Sequence, residues 1–131
     1  MKYFYIDINT VPQIAPVQAS EPVATSDSLS FSWNYIPCES QGAPGLRYKY
    51  SLNIGDDIIV GDVTDDIMVT LPGLIPCTEY TFEVRAVNDI GDGPLLVRMV
   101  STLTVGKYKI HHVTITLNEN TKKRRTILKD L

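Results

Sequence analysis

The sequence predicts an all-β protein, a sandwich of two antiparallel sheets made from seven short strands, and three observations carry that expectation. Apolar residues recur with period two in several separate runs. Clusters of Gly, Pro, Asn and Asp punctuate those runs at intervals of roughly 8–12 residues. The same region shows no helical period of useful length, so the apolar faces must be covered sheet against sheet.

The first strand falls between Val17 and Ala24, broken by Pro16 and Pro22 as an edge strand tolerates. In Leu29-Ser30-Phe31-Ser32-Trp33 the alternation puts Leu29, Phe31 and Trp33 on one buried face. Pro37, Gly42, Pro44 and Gly45 then require a turn. Leu46, Tyr48, Tyr50 and Leu52 line the inner face of the third strand, with Arg47, Lys49 and Ser51 facing out. Asn53 to Asp57 reads as a turn, Ile58-Ile59-Val60 as a short strand, and Gly61 to Asp66 as another turn. Ile67, Val69 and Leu71 give a fifth strand, closed by Pro72-Gly73. The longest alternation turns Tyr80, Phe82, Val84 and Ala86 inward. It ends in Asn88 to Pro94, a loop whose glycines permit positive φ and whose proline stops pairing. A last strand is expected over about Val97 to Leu103.

At 131 residues the chain has room for one domain of ordinary size with short extensions. The expected division is an N-terminal extension at 1–14, a sandwich at 15–105 and a basic end at 106–131. The net charge of -3 hides an asymmetry between these parts. Residues 15–105 carry four basic side chains against twelve acidic ones, whereas residues 106–131 carry seven against two. An acidic body lacks the clustered Lys and Arg that a phosphate backbone requires, so nucleic acid is not an expected ligand of the sandwich. No run approaches the ~20 apolar residues of a membrane span, and Asp7 interrupts the start before a signal-peptide core develops. No Asn-x-Ser/Thr sequon occurs.

Trp33 in the second strand, Tyr48 in the third, then Leu74-x-Pro76-x-Thr78-x-Tyr80-x-Phe82-x-Val84 and Gly91-x-Gly93-Pro94 form an ordered set. Over about ninety residues this set resembles the fibronectin type III module, an immunoglobulin-like β-sandwich. The resemblance implies that Tyr80 is a tyrosine corner, its ring in the core and its hydroxyl on a backbone group upstream. It also implies a module that binds or spaces other proteins, as in cell-surface adhesion receptors and receptor-type tyrosine phosphatases. The absent signal peptide, the absent sequons and the basic end leave open an intracellular scaffold carrying the same module.

No catalytic constellation is legible, and neither an enzyme nor a cofactor is expected. His111 and His112 are adjacent, so in a strand they would face opposite ways, and no glycine-rich phosphate loop precedes a helix. If the topology is that of the family, Glu39, Asp65, Asp66, Asp89 and Asp92 gather at the pole where the chain enters. That surface is either a solvated rim, a docking face for a basic protein, or a weak Ca²⁺ site. The family's integrin-type recognition needs Arg-Gly-Asp in the Asn88 to Gly93 loop, which has no Arg. Cys38 is expected at the entry pole and Cys77 at the opposite one, too far apart to bond within the domain. They are two unrelated thiols, or the halves of crosslinks between neighbouring repeats of a longer string. Lys122-Lys123-Arg124-Arg125 reads as a solvated, disordered end, with a nuclear-localisation or anionic-membrane contact as the alternative, while Val113 to Leu117 and Tyr3 to Ile8 each carry an alternation suited to an extra strand.

Overall fold

The computed structural model describes residues 8–105 and, as backbone, the two strands 114–117 and 124–127. Two antiparallel sheets face each other. One has the order β1-β2-β5 and the other β4-β3-β6-β7, with β1 Val23–Ala24, β2 Leu29–Ser32, β3 Arg47–Ile54, β4 Asp57–Thr64, β5 Met68–Leu71, β6 Glu79–Val87 and β7 Asp92–Ser101. Those seven strands make the expected immunoglobulin-like sandwich.

The core follows the alternation of the chain. Leu29, Phe31 and Trp33 from one sheet meet Tyr48, Leu52, Tyr80, Phe82, Val84 and Ala86 from the other, all buried. Phe31 and Phe82 bridge the two sheets with parallel rings 3.9 Å apart, and Trp33 leans on Tyr48 and Phe82 at 5.6 and 6.2 Å. Two tyrosines pair a buried ring with a hydroxyl that accepts a loop N–H. Tyr80 accepts from Ile75 at 2.9 Å, the tyrosine corner, and Tyr48 accepts from Ile36 at 3.1 Å. Burial of the Tyr48 phenol raises its pKa above the ordinary value; the Ile36 hydrogen bond opposes the shift and Tyr35 adds slightly to it.

The loop before β6 is fixed from a second side. The buried Thr102 hydroxyl donates to the Ile75 carbonyl at 2.6 Å and accepts the Thr78 N–H at 3.1 Å, while the Thr78 hydroxyl donates to the Pro76 carbonyl. Leu74, Pro76 and Thr78 thus shape one bonded loop.

The structure departs from the expected elements in three places. The turn expected over Gly61 to Asp66 is mostly strand. β4 continues through Thr64, pairing Gly61 with Ser51 and Val63 with Lys49, because the continuous ladder of β3 holds residues of low strand propensity. The loop after β6 closes at Gly91, and Gly93 and Pro94 belong to β7. Neither Gly91 nor Gly93 has positive φ. Gly93 is instead required by close approach, since a Cβ there would lie 2.9 Å from Pro12 and 3.2 Å from the Ala86 carbonyl oxygen. The first strand is split: Ala19 and Asn34 exchange backbone bonds with Ser32 and Val17, and pairing resumes at Val23–Ala24 beyond Pro22.

Part of the stretch numbered 1–14 packs on the sandwich. Pro12 and Pro16 are fully buried, the Thr10 carbonyl accepts from Ala43 at 2.8 Å, and Gln13 donates to Ser40 at 2.9 Å. Toward the other end, β8 Thr114–Leu117 pairs antiparallel with β9 Arg124–Ile127. Arg124 and Arg125 therefore sit on a strand where the sequence suggests solvated chain. The alternation at Tyr3 to Ile8 falls almost wholly outside the described residues, as do His111, His112, Lys122 and Lys123.

Candidate functional site

Three loops come together at one pole, fastened by backbone hydrogen bonds and by the side chains of Asn88 and Arg47. The loop from β2 to β3 contains a single 3₁₀ turn, Cys38–Ser40, and reverses at Gly42 and Gly45, both with positive φ. Asn88, opening the loop from β6 to β7, organises the rest. Its amide donates to the Thr10 carbonyl at 2.9 Å and to the Gln41 carbonyl at 3.0 Å, and its side-chain oxygen accepts from Ile90 and Gly91. Asp89 donates its N–H to Pro44 at 2.9 Å. The short loop from β4 to β5 is tied in by the Trp33 N–H on Ile67 and by Arg47 Nε, 3.2 Å from Asp65. The sequence marks Asn88 only as the start of a loop; the fold shows that it joins three separate segments.

The five carboxylates singled out in the sequence divide between two settings. Glu39 on the 3₁₀ turn, Asp65 and Asp66 between β4 and β5, and Asp89 after β6 lie on the pole loops. Glu39, Asp66 and Asp89 make no ion pair among the described residues, while Asp65 is matched by Arg47. Asp92 stands on β7, its carboxylate 3.7 Å from Lys49 and 3.6 Å from Arg85. With that pair it belongs to the outer face of the four-stranded sheet. There a shallow depression of about 200 Å³ is lined by Lys49, Ser51, Ile58, Glu83, Arg85 and Leu95. Exposed pairs of this kind contribute at most about 1 kcal/mol each, so their charges remain available to solvent and to a partner. Among the described residues no three His, Cys, Asp or Glu side chains are placed to hold a metal ion.

The two cysteines are free and exposed. Cys38 opens the 3₁₀ turn at the pole just described. Cys77 has φ +52 in the loop before β6, where its N–H donates to Leu103 near the point at which β7 leaves the domain. They therefore occupy opposite ends of the sandwich. Among the described residues no helix is long and apolar enough to cross a membrane.

Known proteins agree with this geometry. In sequence, the chain is 29% identical over 92 residues to the rat proto-oncogene tyrosine-protein kinase ROS, a match that takes in 70% of this chain and 4% of that protein. The chain thus corresponds to a small part of that relative. In structure, it superposes on domains d3–d4 of the rat CD45 extracellular region with a TM-score of 0.59 at 18% identity, covering 69% of this chain and 51% of the other. The chicken CNTN1 FN1–FN3 domains give 0.61 at 17% identity, with 84% and 41% covered. The sixth fibronectin type III domain of human fibronectin type III domain containing protein 3 gives 0.61 at 18%, with 74% and 91% covered. At such identities these likenesses show the fold. The family profile reaches further, because the fibronectin type III domain matches residues 12–102, from the buried Pro12 to the buried Thr102. By that match, with its tyrosine corner and its two sheets, the chain belongs to the fibronectin type III domain family, generally a non-catalytic module.

Proposed function

We propose that this chain is a non-catalytic protein-interaction and spacer module of a longer receptor- or adhesion-type protein, and that its entry pole is the docking face for a basic partner. The observation that carries the reading is the fastening of three loops to one another through Asn88, Asp89 and Arg47. Loops held in place before contact lose little entropy on binding, which is how a sandwich presents a recognition surface. Among the described residues, Glu39, Asp66 and Asp89 supply its unmatched charge, while Asp65 is matched by Arg47 and Asp92 by Lys49 and Arg85.

Neutralising all five, with Glu39→Gln and Asp→Asn at 65, 66, 89 and 92, tests the assignment. The melting temperature is expected to move by no more than a few degrees, because exposed pairs contribute little. Affinity for a polylysine probe, read by isothermal titration at low and at physiological salt, is expected to fall by about tenfold or more. Unaltered affinity would remove the pole from the function.

The opposite placement of Cys38 and Cys77 supports a role as one link in a string, with Cys77 of one repeat bonded to a Cys38 counterpart of the next. Mass spectrometry of a secreted multi-repeat parent without reduction should recover that crosslink. Finding both thiols free there would refute it.

A further inference from the structure

We propose that the free edge of β4 is a strand-addition site for an extended partner segment whose lysines or arginines flank an apolar, β-branched centre. The inference rests on the interaction-module reading and gives the module a surface distinct from its loop pole.

A sheet edge exposes unpaired N–H and C=O groups, and proteins blunt it with short strands, proline, bulges or inward-pointing charge. Among the described residues, three of the four edges of this sandwich are blunted. β1 has two residues and β5 four. β7 is long, but Pro94 removes a donor near its start, its register shifts between Arg85 and Val87, and Arg98, opposite Phe82 on the core side, is held by Glu21 at 2.9 Å. β4 is guarded differently. It runs eight residues with neither Pro nor Lys, and its protection is one bulge at Ile59 and the carboxylates Asp57 and Asp62, which pair with Ile54 and Tyr50 on the core-facing side and repel an anionic strand but not a cationic one. Ile58, Ile59 and Val60 on it are 70%, 50% and 37% exposed.

Charge selects the occupant. From Asp56 to Asp66 the chain carries five carboxylates and no Lys, Arg or His. Asp65 is matched by Arg47, whereas Asp56, Asp57, Asp62 and Asp66 make no ion pair among the described residues. A second copy of β4, laid antiparallel so that Ile59 faces Val60, would set Asp57 against Asp62 at both ends. Like charges directly opposed destabilise strand pairing, so self-association is disfavoured. A strand with cationic ends reverses that term. Its backbone continues the ladder, its centre covers Ile58 to Val60, and its ends meet Asp57 and Asp62, a mode in which main-chain bonds supply affinity and side chains supply choice.

The probe is a capped eight-residue peptide with a lysine pair at each end of a Thr-Ile-Val-Thr centre, titrated into the full chain by NMR beside the same peptide with glutamates for lysines. We expect amide shifts concentrated on Asp57 to Thr64 and an affinity for the lysine peptide about tenfold tighter or more. The preference should invert in the Asp57→Lys/Asp62→Lys variant, an outcome that misfolding cannot mimic. The five-residue pole variant should keep binding on β4. Equal affinities, no inversion, or no shifts on β4 would overturn the proposal. Shifts confined to Glu39, Asp65 and Asp89 would overturn it while leaving the loop pole as the interaction face. Binding that appears only after residues 106–131 are removed would overturn the assignment to a separate partner and give the edge to the chain's own basic end.

Discussion

Replacing Phe82 with alanine should destabilise the domain by about 3–5 kcal/mol, the range for truncating a buried aromatic side chain. Phe82 is 2% exposed and stands where the sheets meet. Its ring lies parallel to Phe31 of the opposite sheet at 3.9 Å, and both Trp33 and Tyr50 come within 6.2 Å. The truncation removes the transfer energy of one large ring and the cross-sheet stack together, and the surrounding rings cannot close the space without leaving their own partners. Because a domain of this size has only about 5–15 kcal/mol of stability, thermal denaturation should show a fall of tens of degrees or no folded state at all. A Phe82→Leu variant keeps the measurement possible, with a smaller loss from the same stack. A loss under about 1 kcal/mol for the alanine variant would mean that the two sheets are not joined through this ring.

The Gly42→Ala variant should have a different signature. Gly42 has φ +71, a conformation that costs an L-residue roughly 1–2 kcal/mol. A Cβ there would also press on the Thr10 carbonyl and come within 2.8 Å of the Val11 carbonyl oxygen. Both obstacles are backbone, so the segment at Thr10 to Pro12 must move. That movement breaks the bonds from Ala43 and Asn88 to Thr10. We expect a loss of about 2 kcal/mol or more, with hydrogen exchange accelerating at Ala43 and Gln13 far more than at Val84. Since Asn88 also fastens the pole, the five-carboxylate face should lose affinity for a basic probe in this variant. Unchanged exchange at Ala43 would show that the segment does not depend on the glycine.

These two variants separate the inter-sheet core from the pole. The first sits where alternation in the sequence already marks it; the second sits where a contact between segments some thirty residues apart decides the outcome, which no local pattern carries.

Much of the fold is legible in the sequence because strand side chains alternate with a fixed period. Leu29, Phe31, Trp33, Tyr80, Phe82, Val84 and Ala86 could face inward only together, and the Tyr80 corner follows from its place beside Leu74, Pro76 and Thr78. The extent of β4 was not legible, since Gly61, Asp62 and Thr64 have the composition of a turn and become strand only through the ladder offered by β3. The candidate site was legible as a set of carboxylates and not as a surface. Sequence could not show that Asp65 is matched by Arg47, that Asp92 answers to Lys49 and Arg85, or that Asn88 draws Thr10 and Gln41 to one point.

By itself the sequence determined which face of each strand is buried, because period and turn chemistry are local properties, and the ordered set from Trp33 to Pro94 carried the resemblance to the family. Only the tertiary structure decided which strand edges stay open, which charges are matched and which loops are fastened. Each of these depends on a partner distant in the chain, and backbone hydrogen bonds and ion pairs are satisfied in space.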